Sequence, residues 1–341
     1  MNILVLVPFK NEHMDRIRMA AGLDNHVEQY ADLWIGRTSP VGSAFPPPPK
    51  RDGTPTPDVL MEKIQQADVI IGEPHPRYLK GDDLPLKWLQ MTWAGTDLYT
   101  RGRFAFPKGV MLTNVAGAAY GHIISQYVMA QVLGIAQNLP AYTLQKQTKS
   151  WNDLGAVFSL EGARVLIFGA GDIGSCVAKR LSGFDVESVV GVCRDTETPR
   201  EGFDELITLP RAESYLREMD VVIGCIPNTP ETAGYFGMRR LQLMKKGSIL
   251  VNVGRGNFVD ATALDTVLTE GHLRGAALDV TDPEPLPIEH SLWRNARCVI
   301  TPHVSGTAFG RSDGTEERIC QICCENLKRF VAGEPLTHRV L

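Results

Sequence analysis

The chain has 341 residues, 43% of them hydrophobic, and carries 35 Lys+Arg against 39 Asp+Glu for a net charge of -4. That length points to two domains with sizeable cores, and the lack of a basic block argues against a nucleic-acid partner. No apolar run nears the roughly 20 residues of a membrane span, and MNILVLVPFK has neither a basic leader nor a small-residue cleavage site, so a cytoplasmic protein is expected, with its first strand there.

Short apolar runs alternate with helical patterns: NILVLVP (2–8), ADLWIG (31–36), ADVIIG (67–72), KWLQMTW (87–93) and VMLTNV (110–115). The alternation predicts a parallel sheet with helical crossovers. Residues 39–58 hold seven prolines, which forbid helix and central strand and predict an extended surface loop, or a flap or subunit contact. Residues 120–139 are apolar on most faces, which predicts a helix buried on most faces, suited to a hinge or a subunit seam. Beyond it the alternation restarts with ARVLIFG (163–169), ESVVGVC (187–193), VVIGCIP (221–227), SILVNVG (248–254), GAALDV (275–280) and CVITPHV (298–304), a second doubly wound unit. The last helix, within 316–335, is expected to end at Gly333, with Pro335 two residues on. Seven scattered cysteines fit a reducing compartment; Cys320, Cys323 and Cys324 read as buried helix residues, and no metal site is expected.

The segment ARVLIFGAGDIGSCVAKRL places Gly169, Gly171 and Gly174 as G-x-G-x-x-G between a strand and an amphipathic helix, a dinucleotide signature. Gly169 permits the tight turn, Gly171 the approach of a pyrophosphate and Gly174 close helix packing. Asp172 and Ile173 open the helix, whose first N–H groups face that anion. Arg194 stands 20 residues after Gly174, where an acid would serve NAD; a guanidinium suits a 2′-phosphate, so NADP(H) is favoured over NAD(H). Asp195 is the counter-indication, since it could bond ribose hydroxyls.

VNVGRGN (251–257) sets Arg255 between glycines after a buried run, and such a cation needs either a protein carboxylate or an incoming anion. LDVTDPEPLP (278–287) and TPHVSG (301–306) also follow strand ends, where an open α/β sheet binds its ligands. Arg255, Glu284 and His303 are therefore expected to converge beside the nicotinamide. A histidine is a suitable proton donor to an alkoxide, a nearby carboxylate favours its charged form, and an arginine fork suits a carboxylate and a developing oxyanion.

The glycine motif, CIPNTPET (225–232), NVGRG, LDVTDPEPLP and ITPHVSG, in this order and spacing, resemble the D-2-hydroxyacid dehydrogenase family. WAGTD (93–97) matches the family's substrate-domain loop, so the likeness covers nearly the whole chain, and it is strongest to NADPH-linked glyoxylate/hydroxypyruvate reductases and short-chain 2-ketoacid reductases. The resemblance implies two doubly wound α/β domains: a Rossmann dinucleotide domain over 119–304 inserted in a flavodoxin-like substrate domain of 1–118 and 305–341. It implies Arg255 as the clamp on the substrate carboxylate and carbonyl, His303 as proton donor and Glu284 as its partner. The amides of Ala94, Gly95 and Thr96 would bind the substrate carboxylate. Asp279 would contact the nicotinamide carboxamide, while Pro227, Thr229, Thr232 and Val253 would line the cofactor cleft.

The implied reaction is reduction of a small 2-keto acid to the D-2-hydroxy acid by a homodimer. Gln126 stands where many members have an acid. Three other activities use this fold. Formate dehydrogenase would carry glutamine in place of Glu284. A co-repressor-type dinucleotide sensor keeps the same three residues. A 3-phosphoglycerate dehydrogenase would need a cationic phosphate pocket, for which Arg101 and Arg103 are available.

Overall fold

Short continuous apolar runs between helical patterns become two parallel sheets in the computed structural model, which describes residues 1–30, 57–79, 84–101, 105–117 and 119–341. The strand expected over 31–36, the proline-rich stretch as far as residue 56, and Arg103 lie outside the described residues. The chain forms two compact units, Met1–Tyr120 with Thr307–Leu341, and Gly121–Gly306. The second is thus an insertion in the first, and its limits fall two residues beyond those expected.

The first unit contains β1 (Asn2–Val5), α1 (Asn11–Ala21), β2 (His26–Gln29), α2 (Pro57–Gln66), β3 (Val69–Ile71), β4 (Trp88–Gln90), α3 (Asp97–Thr100), β5 (Met111–Thr113) and α10 (Asp313–Ala332). Its sheet runs β2-β1-β3-β4-β5, all parallel, the flavodoxin-like order. Strands buried on both faces need continuous apolar runs, and Ile3, Leu4, Val5, Val69, Ile70, Ile71 and Leu89 supply them. The helix α10 stops as expected: Gly333 adopts φ +70, and the N–H of Glu334 donates to the Arg329 carbonyl at 2.8 Å. Cys320, Cys323 and Cys324 are buried on it. A fully buried Glu316 accepts from His13 Nδ1 at 2.8 Å and ties α10 to α1.

The second unit contains α4 (Gly121–Ala136), α5 (Leu139–Gln147), β6 (Arg164–Phe168), α6 (Asp172–Leu181), β7 (Ser188–Val192), β8 (Glu205–Ile207), α7 (Leu209–Tyr215), β9 (Val221–Gly224), α8 (Met238–Leu243), β10 (Ile249–Asn252), α9 (Ala261–Thr269), β11 (Gly275–Leu278) and β12 (Cys298–Ile300). Its parallel sheet runs β12-β11-β10-β9-β6-β7-β8, the Rossmann order with a seventh strand. The strand order reverses between β6 and β9, so the loops after them flank the switch point where such sheets take ligands.

Helix α4 is covered over most of its surface. It buries Ile124, Val128, Val132 and Ile135 along one face, while His122, Gln126 and Ala130 are exposed. Spaced four residues apart, these three form one narrow stripe, so the helix is not covered all round. Among the described residues no helix is long and apolar enough to cross a membrane.

Candidate active site

The glycine turn is fixed by close approach. Gly169 takes φ +105, and a Cβ there would meet the Cys225 carbonyl oxygen at 2.9 Å. A Cβ on Gly174 would lie 1.9 Å from the Gly169 carbonyl oxygen, whereas Gly171 is exposed and faces open space. Only the middle glycine therefore leaves its backbone open to a ligand, the geometry that a pyrophosphate needs. Asp172 accepts the Gly121 N–H at 2.8 Å, so its carboxylate is used inside the unit. Ile173 is partly exposed beside it.

The loop after β9 packs directly against this turn. Cys225 Sγ donates to the Phe168 carbonyl at 3.1 Å. Thr232, 8% exposed, accepts the Thr229 N–H at 2.8 Å and donates to the Pro227 carbonyl at 2.9 Å. The sequence thus places Pro227, Thr229 and Thr232 in one self-bonded loop next to the glycines.

Arg255 owes its flanking glycines to the same crowding. A Cβ on Gly254 would approach the Ile226 carbonyl oxygen to 2.7 Å, and one on Gly256 the Thr281 carbonyl oxygen to 1.9 Å. The turn is therefore wedged between the loops after β9 and β11. Buried Asn252 locks it, accepting the Gly254 N–H at 3.1 Å and donating to the Arg255 carbonyl at 2.9 Å. The half-buried Arg255 side chain donates to the Gly254 carbonyl at 2.8 Å. Below, Phe258 packs on Phe168 with ring centroids 5.2 Å apart and on Phe236 at 5.1 Å. Edge-on aromatic packing of this kind adds ~0.5–1.5 kcal/mol per pair beyond area burial, and it joins the Arg255 turn to the strand that leads into Gly169.

His303 and Glu284 meet: Nδ1 and Oε1 are 2.8 Å apart, both side chains about one-third exposed. An ionised Glu284 makes Nδ1 the protonated nitrogen, and Nε2 has no protein partner among the described residues. The histidine backbone is in the left-handed region at φ +54, unusual for a residue with a Cβ and costing of order 1–2 kcal/mol. Asp279 over-determines this turn. Buried to 1% exposure, it accepts the Val304 N–H at 2.8 Å, the Ser305 N–H at 2.9 Å and the Thr301 hydroxyl at 2.6 Å. Tyr127 on α4 meets the Thr301 hydroxyl in turn, at 2.6 Å. The contacts described for the Asp279 carboxylate are thus with the loop that carries His303. Sequence reasoning missed Asp279 as an anchor, together with Tyr127 and Asn252, because only the fold brings their partners near.

At the end of β7 Arg194 is exposed, and the Asp195 carboxylate accepts the N–H groups of Glu197 and Thr198 at 3.1 and 3.2 Å. The Thr198 hydroxyl, together with those two N–H groups, holds the Asp195 carboxyl below its ordinary range. Arg200, unremarked in the sequence, reaches back so that Nη1 donates to the Ala170 carbonyl at 2.6 Å. Its buried Nε has no hydrogen-bond partner among the described residues. An orphaned guanidinium N–H beside the glycine turn fits an anionic dinucleotide. Among the described residues no group of His, Cys, Asp and Glu is arranged to hold a metal ion.

In the other unit, Ala94, Gly95 and Thr96 follow β4 in a half-buried loop. The Ala94 carbonyl accepts from Asn114 Nδ2 at 2.8 Å, and the three N–H groups donate to no acceptor among the described residues.

A seven-stranded sheet of this order with a glycine turn at its switch point defines a dinucleotide-binding protein. Residues 129–305 match the family model of the D-isomer specific 2-hydroxyacid dehydrogenase NAD binding domain, and the chain belongs to that family of oxidoreductases. Over 178 residues it is 38% identical to a glyoxylate reductase from Pyrococcus horikoshii, 52% of this chain and 51% of that protein. A D-isomer specific 2-hydroxyacid dehydrogenase family protein from Aeromonas salmonicida is similar in structure, 28% identical with a TM-score of 0.79 over 100% of this chain and 98% of that one. An NADPH-dependent glyoxylate/hydroxypyruvate reductase from Sinorhizobium meliloti, determined with NADP and sulfate, shares the fold at 23% identity and a TM-score of 0.74, over 99% of this chain and 98% of that one.

Proposed function

We propose that the protein reduces a small 2-oxo acid, of the glyoxylate or hydroxypyruvate kind, to the D-2-hydroxy acid with NADPH. The observation that carries this reading is the His303–Glu284 pair at 2.8 Å, set at the strand ends of a dinucleotide-binding unit. A bound nicotinamide dinucleotide supplies the hydride that C2 of the acid accepts. The chain supplies the rest. His303 Nε2 delivers a proton to the oxygen on C2 as negative charge develops there. Glu284 fixes the ring orientation and stabilises the imidazolium, and Arg255 offers its fork to the carboxylate and that oxygen. The N–H groups of Ala94, Gly95 and Thr96 are proposed to bind the carboxylate.

Gly171 and the first amides of α6 are assigned to the pyrophosphate, with Thr229 and Val253 beside the ring. The preference for NADPH rests on two cations, exposed Arg194 and the partly orphaned Arg200, and on Asp195 being committed to its own turn. A homodimer belongs to the same reading, because Leu139, Leu144, Trp151, Leu154 and Val157 are exposed in one stretch, Trp151 fully. Light scattering should then give about twice the 37.5 kDa chain mass.

The test is oxidation of NADPH, and of NADH in parallel, with glyoxylate, hydroxypyruvate and pyruvate. His303→Ala should lower kcat by about a hundredfold or more, the usual contribution of a general acid. Arg194→Ala should raise KM for NADPH and leave that for NADH in place. Near-full turnover by His303→Ala would remove the histidine from its role, and a preference for NADH untouched by Arg194→Ala would end the phosphate assignment.

A further inference from the structure

Glu73 follows β3, the sheet neighbour of β4, and its side chain reaches the loop that β4 leads into. Oε1 accepts the Thr92 N–H at 2.5 Å and the Trp93 N–H at 3.0 Å, and the Thr92 hydroxyl lies 3.0 and 3.1 Å from the two carboxylate oxygens. Tyr120 holds the other side of the same residue, donating to the Thr92 carbonyl at 3.0 Å. The two amides that Glu73 takes are those immediately before Ala94, Gly95 and Thr96, whose own N–H groups find no protein acceptor among the described residues. One carboxylate thus consumes the first two donors of the loop and leaves the next three for something else.

We propose that Glu73 is a positioning residue for an anionic substrate: it fixes the 92–96 loop with three outward amides, and its own charge opposes the carboxylate those amides receive. The proposal rests on the assignment of the 94–96 amides to the substrate carboxylate. No cation faces Glu73 among the described residues. The titratable groups near it are Tyr99 of α3 and Cys323 of α10, both pushed upward by burial and so neutral at ordinary pH. Tyr99 donates instead to the Pro74 carbonyl at 2.7 Å. Glu73 keeps some contact with solvent, yet its carboxylate sits among protein atoms, and this desolvation pushes it up to about 7. Both N–H bonds land on Oε1, so a proton settles on Oε2 without breaking them. The loop therefore holds its shape in either state, while the charge beneath it changes near neutrality.

The experiment measures KM and kcat for glyoxylate with saturating NADPH from pH 5.5 to 8.5, at constant ionic strength, for the wild type, Glu73→Gln and Glu73→Ala. A glutamine keeps the Oε1 acceptor and removes the charge. In the wild type KM should rise about fivefold as pH climbs through 7, the scale of like-charge repulsion in a partly wet site. In Glu73→Gln that rise should vanish and KM should stay at the wild-type acid value, while the two kcat profiles keep the same shape. Superimposable KM profiles for wild type and Glu73→Gln would overturn the proposal. If Glu73→Ala fails to fold, the glutamine comparison still decides. A wild type that turns over no 2-oxo acid would fail the reductase reading instead. The charge effect is then read by calorimetric titration of oxalate into wild type and Glu73→Gln at pH 6 and 8, where equal pH dependence in both refutes it.

Discussion

Two acidic side chains, Asp279 in the dinucleotide-binding unit and Glu73 in the other, each pin a loop that follows a parallel strand. Asp279 spreads its donors, with the Val304 N–H on one oxygen and the Ser305 N–H on the other. A proton on either oxygen would displace a bond. Glu73 gathers both N–H bonds on one oxygen and leaves the second to a shared hydroxyl. The loop that carries His303 is thus tied to a carboxylate with no spare oxygen, and the loop that leads into Ala94 to one that can discharge. Donor placement, more than donor number, separates the two anchors.

The sharpest way to break this contrast is to convert each acid to its amide. Asp279→Asn turns an N–H acceptor into an N–H donor facing another N–H, so the His303 turn should relax from its left-handed geometry. A fall in kcat of about tenfold to a hundredfold is expected, with a clear loss in melting temperature, since a buried unsatisfied donor costs ~1–3 kcal/mol. Steady-state kinetics and calorimetry check it; an Asp279→Asn enzyme with normal kcat would mean the anchor is dispensable. Glu73→Ala comes next, removing the acceptor from Thr92 and Trp93, with KM for the 2-oxo acid up about tenfold and kcat much less affected. The smallest effect is on stability against pH. The unfolded chain releases the Glu73 proton near 4.5, the folded one near 7. The folded state holds the extra proton between those values, so this residue makes stability fall as pH rises through that window, and the loss is complete above about 7. Glu73→Gln should flatten that slope in denaturant titrations at pH 4.5, 6 and 8; an unchanged slope would place the titration elsewhere.

Much of the architecture was legible because buried parallel strands need unbroken apolar runs, and those runs were visible from NILVLVP to CVITPHV. The edge strands β2 and β8 were not, since His26–Gln29 and Glu205–Ile207 carry too little apolar pattern. Nor was α5, whose LPAYTLQKQ buries no residue and so lacks an apolar stripe. For the site, the glycine spacing and the His303–Glu284 pairing could be read from motif order. What could not be read are the bonds that run between distant segments: Asp279 to Val304, Tyr127 to Thr301, Arg200 to Ala170 and Glu73 to Thr92. Apart from Asp279, which lies in LDVTDPEPLP, each joins a residue with no motif of its own to a loop that has one. Arg200 stood six residues past the arginine that the spacing singled out, and only the return of its loop to the glycine turn gives it meaning.

The positive φ of His303 has a practical corollary. Most residues would resist that backbone angle, but glycine adopts it freely. A His303→Gly chain would keep the loop unstrained while leaving a cavity the size of the lost ring beside Glu284. Free imidazole, added from solution, would have both a space to enter and a carboxylate to orient it, so this turn is built in a way that lends itself to chemical rescue.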